Sequence, residues 1–261
     1  MTGSSPLRIG LSWWIMGIPL LIFLAIPLVA LLLQTNLDTL IQNLLQPQVY
    51  QALWLSLKTS FLSLLVTVTL GTPLAFLLAH RTFPFKRLVD TLVDLPMVLP
   101  PAVAGVALLM AFGRNGLIGQ YLGVQIPFTQ LAVVMAQVFV AAPLYVRAAI
   151  IGFNRMDRDL EEAAILDGAQ TRDVMRYVTL PVTGPALLGG AALTWARALG
   201  EFGATIIFAG NLQGRTQTMP LAIYLGFELD TSMALTLSVL LLAGSFLVLF
   251  LLRRTLTPDA S

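Results

Sequence analysis

Long apolar runs, each interrupted by short polar segments, recur along the whole chain. Reading for stretches of at least roughly 18 apolar residues, the length a bilayer-spanning helix needs, places spans near 13–34, 53–79, 94–112, 131–152, 178–209 and 233–252. The first run, WWIMGIPLLIFLAIPLVALLL, is longer than a signal-peptide core and is followed by no small-x-small cleavage pattern, so it is expected to be a retained helix. The pattern therefore predicts an all-α integral membrane protein with six transmembrane helices, one transmembrane domain over 1–261. Its residues 153–177 form the longest basic loop, and both termini lie on one side.

Prolines punctuate the spans. Pro96, Pro100 and Pro101 fall near the start of the third, Pro143 lies inside the fourth, and Pro181 and Pro185 open the fifth. Broken helices are tolerated at membrane depth only where neighbouring protein or a wet cavity satisfies the freed backbone groups. A bundle enclosing a path is expected rather than a simple anchor.

Composition sharpens the class. Charged residues make up 11% of the chain and the mean hydropathy is +0.85, against about 25% charge in an ordinary soluble domain. A soluble enzyme is excluded. With no cysteine and one histidine, His80, disulfides and thiolate metal sites are absent and imidazole chemistry is minimal. No cofactor is expected, and a net charge of +2 gives no reason to expect nucleic acid as a partner.

The basic residues are unevenly placed. Arg8, Arg81, Lys86, Arg87, Arg155, Arg158, Arg172, Arg176, Arg253 and Arg254 fall in one alternating set of loops and ends, and only Arg114 and Arg215 in the other. Positive charge is retained inside, so the first set is assigned to the cytoplasm together with both termini.

Within the longest basic loop, NRMDRDLEEAAILDGAQTRDVMRYVTLP, Asp159 and Glu162 have the spacing of a capping box. Gly168 is placed to end the helix and Thr171 to cap the next. A short helix over 160–167 is expected, with Leu160, Ala163 and Ala164 on one low-profile apolar face flanked by Glu161, Glu162 and Asp167. Such a strip suits a groove on another protein.

Glu162-Ala163-Ala164, three residues, Gly168, nine residues, Val178, one residue and Leu180-Pro181 resemble the EAA loop of permease subunits of ATP-binding-cassette importers, with Val at the usual Ile position. The resemblance implies a type I importer permease fold and a coupling helix (Leu160, Glu161, Glu162, Ala163, Ala164, Asp167, Gly168) that docks on a cytoplasmic ATPase subunit. The ATPase must be a separate chain: the two lysines, Lys58 and Lys86, each follow a non-glycine residue, so no phosphate-binding P-loop is present.

The segment WARALGEFGATIIFAGNLQGRTQTMPLAIY, from Trp195 to Tyr224, resembles the fifth span of the molybdate and sulfate permease group. FGRNGLIG, Phe112 to Gly119, is similar to the molybdate/tungstate branch. The resemblance implies an external oxyanion-binding protein, two permease copies as a homodimer, and a prokaryotic plasma (inner) membrane location. Sulfate or thiosulfate uptake is the alternative within the group, and a stand-alone channel or ion-coupled carrier the alternative outside it.

Two constellations are candidates for the path. Arg197 and Glu201 are four apart on one helical face, so they can pair; they are either a neutralised packing pair or a gate beside the anion route. Ser56, Ser60, Ser63 and Thr67 make one hydroxyl stripe, either helix-to-helix glue or pathway lining. Gln137 is open in the same way, His80 is expected at the membrane interface, and the glycines of the fifth span are expected to bring helix backbones together.

Overall fold

The computed structural model describes residues 11–123 and 125–256. Arg8 and the tail beyond Leu256 lie outside the described residues, and so do the side chains of Arg158, Thr171, Arg253 and Arg254. The chain order is α1 (Leu11–Gln34), α2 (Leu37–Leu44), α3 (Pro47–His80), α4 (Lys86–Val98), α5 (Pro101–Phe112), α6 (Gly119–Leu122), α7 (Gln130–Asn154), α8 (Arg158–Leu166) and α9 (Thr171–Val174). A π-helical turn (Met175–Thr179) follows, then α10 (Leu180–Leu199), α11 (Gly203–Phe208), α12 (Met219–Leu229) and α13 (Thr231–Leu256). Among the described residues there are five spans by length and apolarity, or six when the bent pair α4 and α5 is taken as one.

Three long helices, α3, α7 and α10, pack together at the centre. One buried cluster joins Ala75 and Leu78 to Tyr145, Val146, Ala149 and Phe153, with Leu187 and Ala191 packed on it. A second joins α5 and α11 to the start of α7 through Ala104, Leu108, Val133, Ala136 and Phe208. A third ties the start of α3 to α12 and α13 through Val49, Ala52, Met219 and Leu237. Helix α1 stands at the edge, and from Ile15 onward most of its apolar side chains are exposed, as a lipid-facing surface requires.

The breaks follow from local chemistry. Leu99 and Pro100 each precede a proline, which forces both into extended backbone (ψ 136° and 135°), and Pro101 then opens α5 at the position where its missing N–H costs nothing. Helix α4 therefore meets α5 at a 119° bend. The third span expected over 94–112 is corrected accordingly: its residues 94–98 belong to a separate helix that starts at Lys86. The fifth, expected over 178–209, is likewise corrected, because the helix stops at Leu199 and restarts at Gly203.

Pro181 causes the π turn. It has no N–H to donate to Tyr177, and the preceding amide of Leu180 bonds instead to Met175, five residues back.

Candidate functional site

Two helix breaks, α4/α5 and α10/α11, meet each other. A Cβ on Gly203 would stand 2.6 Å from the Cβ of Pro101, and one on Gly105 would stand 2.7 Å from the Cβ of Ile207 and 2.8 Å from the Ala204 carbonyl. Only glycine permits α5 and α11 to approach this closely. The α4/α5 elbow and the α10/α11 joint are thus seated on each other.

The candidate charged pair lies at this junction. Arg197 Nη1 donates to Glu201 Oε2 at 2.7 Å, and the backbone N–H of Ala204 donates to Glu201 Oε1 at 2.8 Å. Glu201 is 1% exposed. Its carboxylate therefore binds the last turn of α10 with one oxygen and the open N-terminus of α11 with the other, where the helix dipole also favours negative charge. The Arg197 side chain is 36% exposed, and it lines a cavity of about 200 Å³ with Pro96, Leu99, Pro101, Val140 and Leu144. Of the pair, the cation faces open space and the anion is enclosed.

The hydroxyl stripe sits elsewhere. Ser56, Ser60, Ser63 and Thr67 are all buried between helices. Ser56 Oγ accepts from the Met219 backbone N–H at 2.7 Å, Ser60 Oγ accepts from Trp195 Nε1 at 3.0 Å, and Ser63 Oγ donates to the Ser60 carbonyl at 2.9 Å. Within one subunit Ser56 and Ser60 hold α3 against α12 and α10, while the Ser63 bond stays within α3. Gln137 is fully buried in α7. The glycine-rich face of α10 does bring backbones together: a Cβ on Gly190 would stand 2.6 Å from that of Ala148.

A second ionic cluster was not anticipated from the sequence. Arg147 of α7 donates from Nε to Asp94 Oδ1 at 2.5 Å and from Nη2 to Asp94 Oδ2 at 2.6 Å. It also donates to the Asp90 carboxylate at 3.3 Å and the Asp90 carbonyl at 3.0 Å. A bidentate arginine of this kind fixes geometry as well as charge. It fastens α4, the arm before the elbow, to α7. The available signal was two aspartates four apart beside a lone arginine inside an apolar span.

The loop at residues 153–177 folds largely as its pattern suggests. Helix α8 presents Leu160 (49% exposed), Ala163 and Glu162 outward, with Ala164 half-buried and Asp167 and Gly168 exposed. At its end Gly168 has φ +90°, the Ala169 N–H reaches the Ala164 carbonyl and the Gly168 N–H reaches that of Ile165, both at 3.0 Å. This is the left-handed glycine stop that the sequence suggested. The start is corrected: Asp157, not Asp159, caps the helix by accepting from the Asp159 N–H at 3.1 Å, and Asp159 lies in the first turn.

Glu161 turns inward. Thr179 Oγ1 donates to its Oε1 at 2.8 Å, and His80 Nε2 stands 4.0 Å from its Oε2. His80 in turn stacks on Phe76 at 4.2 Å. The histidine expected at the membrane interface therefore lies against the loop helix.

The sequence matches the family of binding-protein-dependent transport system inner membrane components over residues 71–258. It is 42% identical over 231 residues to the molybdenum transport system permease protein ModB of Mycobacterium tuberculosis, covering 87% of this chain and 88% of that one. It is 36% identical to the probable transport system permease protein NifC of Clostridium pasteurianum, over 91% and 85% of the two chains. It is 34% identical to the sulfate transport system permease protein CysW of Escherichia coli, over 92% and 86%. Among solved structures, a bacterial alginate transporter in complex with its periplasmic protein aligns with a TM-score of 0.73 at 16% identity, covering 95% of this chain and 96% of that chain. The MetNI methionine transporter in an inward-facing conformation aligns with a TM-score of 0.63 at 21% identity, over 80% and 94%. The fold is that of a type I importer permease, and by sequence the chain belongs to the family of binding-protein-dependent transport system inner membrane components.

Proposed function

We propose that this chain is the permease subunit of an ATP-driven importer that carries molybdate across a prokaryotic plasma membrane. It works as a homodimer with two cytoplasmic ATPase subunits and receives its cargo from an external oxyanion-binding protein. The observation that carries the reading is the 42% identity, over most of both chains, to a permease named for molybdenum transport.

The geometry supplies a physical rationale. A tetrahedral dianion crossing a bilayer needs positive charge and hydrogen-bond donors, but few enough that it leaves again. Arg197 offers a guanidinium to the cavity at the elbow, while Glu201 uses its carboxylate on Arg197 and Ala204 and so presents little free negative charge. Two copies would bring two such arginines to one path. The strip Leu160, Ala163, Ala164, bordered by Glu162, Asp167 and the Gly168 stop, is assigned to ATPase docking; Glu161, whose carboxylate turns inward to Thr179, is left out of that surface.

The test is uptake of labelled molybdate into vesicles holding the permease, its ATPase and the binding protein. Uptake is expected to require ATP and all three components, and to be displaced by tungstate, a tetrahedral dianion of the same shape, far better than by sulfate. Stronger displacement by sulfate would favour the second reading, a sulfate permease, which the 34% identity to CysW supports. Uptake without the ATPase would overturn both.

A further inference from the structure

Helix α8 has two faces with different duties. Its outer face carries Leu160 and Ala163, exposed. From its inner face Glu161 reaches two other elements at once. Among the described residues it is the one α8 side chain with a side-chain partner outside its own helix. Both partners are well placed to move something. Thr179, 1% exposed, is the last residue of the π turn and leads directly into α10. Its carbonyl also accepts the Thr183 hydroxyl at 2.7 Å, which fastens the first turn of α10 to the same point. His80 is the last residue of α3 and is clamped by stacking on Phe76 and by the edge of Phe153 on α7.

We infer that Glu161 is a positioning residue that latches α8 to the base of α10 through Thr179 and to the base of α3 through His80, so that displacement of the docked helix is delivered to the span carrying Arg197. The inference rests on the docking role proposed for α8. It goes further by assigning the transfer of motion to one carboxylate and its two partners.

Chemistry favours this division of labour. The covalent route from α8 to α10 passes through the turn at 167–170, the four-residue α9 and the π turn, three short breaks in regular α-helix. Motion entering by that route alone would be absorbed there. The Glu161–Thr179 bond bypasses most of it, joining α8 to the far end of the π turn by a charge-assisted contact. The hydroxyl is nearly free of water competition, because Thr179 is buried.

The experiment uses the complete transporter, permease with ATPase and binding protein, in vesicles. Co-purified ATPase, ATP hydrolysis and labelled molybdate uptake are measured on the same preparation. Glu161→Ala is expected to retain the ATPase and its hydrolysis but to lower uptake per ATP about tenfold, close to the lower end of what loss of one charge-assisted hydrogen bond gives. Thr179→Val, nearly isosteric, should give most of the same defect, and the double variant should be no worse than Glu161→Ala alone, because the Thr179 contact is already lost in it. Glu161→Gln, which still accepts from Thr179, and Thr179→Ser, which still donates, should each restore coupling to within about twofold of the native ratio.

Normal uptake per ATP in Glu161→Ala with the ATPase bound, or additive losses in the double variant, overturns the latch. So does release of the ATPase by Glu161→Ala, which would place the residue in the docking face itself. Ala163→Glu separates the underlying reading from the latch. It should release the ATPase, and if the ATPase stays bound, the docking assignment fails whatever Glu161 does.

Discussion

Glu201 and Arg197 are four residues apart, and that spacing was enough to pair them from sequence. What spacing could not reveal is that the second carboxylate oxygen closes the N-terminus of α11, because that requires the break at 200–202. Glu201→Ala leaves a buried amide and an arginine without their partner. The expected loss of stability is on the order of 2 kcal/mol, kept modest because Arg197 is 36% exposed and recovers part from solvent. Replacing both Arg197 and Glu201 by Leu removes the unpaired charges, and we expect assembly to recover while molybdate uptake stays impaired. Uptake at the native rate in that double variant would leave packing as the whole role of the pair. The Asp90, Asp94 and Arg147 cluster escaped the sequence reading for a related reason. A third span that begins at Asp94 leaves Asp90 outside the helix that makes the pair with Asp94 visible.

At the scale of elements, the prolines and glycines of the sequence announced breaks but not their partners. Pro100 and Pro101 halt α4 by restricting the residues before them, a strictly local effect. That the resulting elbow sits on Gly203 depends on tertiary packing, which a linear pattern does not carry. The same limit explains the cap of α8: Asp157 and Asp159 both satisfy the local capping rule, and only the folded chain selects Asp157. Gly203→Val places side-chain atoms where Pro101 already stands and is expected to destabilise by about 1–3 kcal/mol through overpacking. Gly184→Ala, which meets open space on the neighbouring helix α10, should be nearly neutral. Thermal unfolding of the purified permease in detergent distinguishes the two, and equal melting temperatures would mean that the elbow is not seated as described.

Across the whole molecule, contacts sort the loops into two ends without reference to charge. His80 meets Glu161, so the end of α3 and helix α8 share one end. At the other, Asn43 donates to Thr236, the Phe128 N–H reaches the Phe208 carbonyl, and Ser56 holds the Met219 amide. The start of α3 therefore lies with α2, the 209–218 segment and the starts of α7 and α13. Arg81, Lys86, Arg87, Arg155, Arg172 and Arg176 belong to the first end. Arg114 borders a cavity of about 540 Å³ with Gln125 and Phe128 at the second end, where the segment carrying Arg215 also lies. Packing and charge divide the loops in the same way, and from the charge bias we propose that the first end faces the cytoplasm. Reporter fusions after Arg87 and after Thr171 should accordingly read cytoplasmic, and fusions near Gln46, Gly123 and Gly214 external. A reversed pair of neighbouring fusions would place α8 away from ATP, and with it the assignment of that helix to ATPase docking would fall.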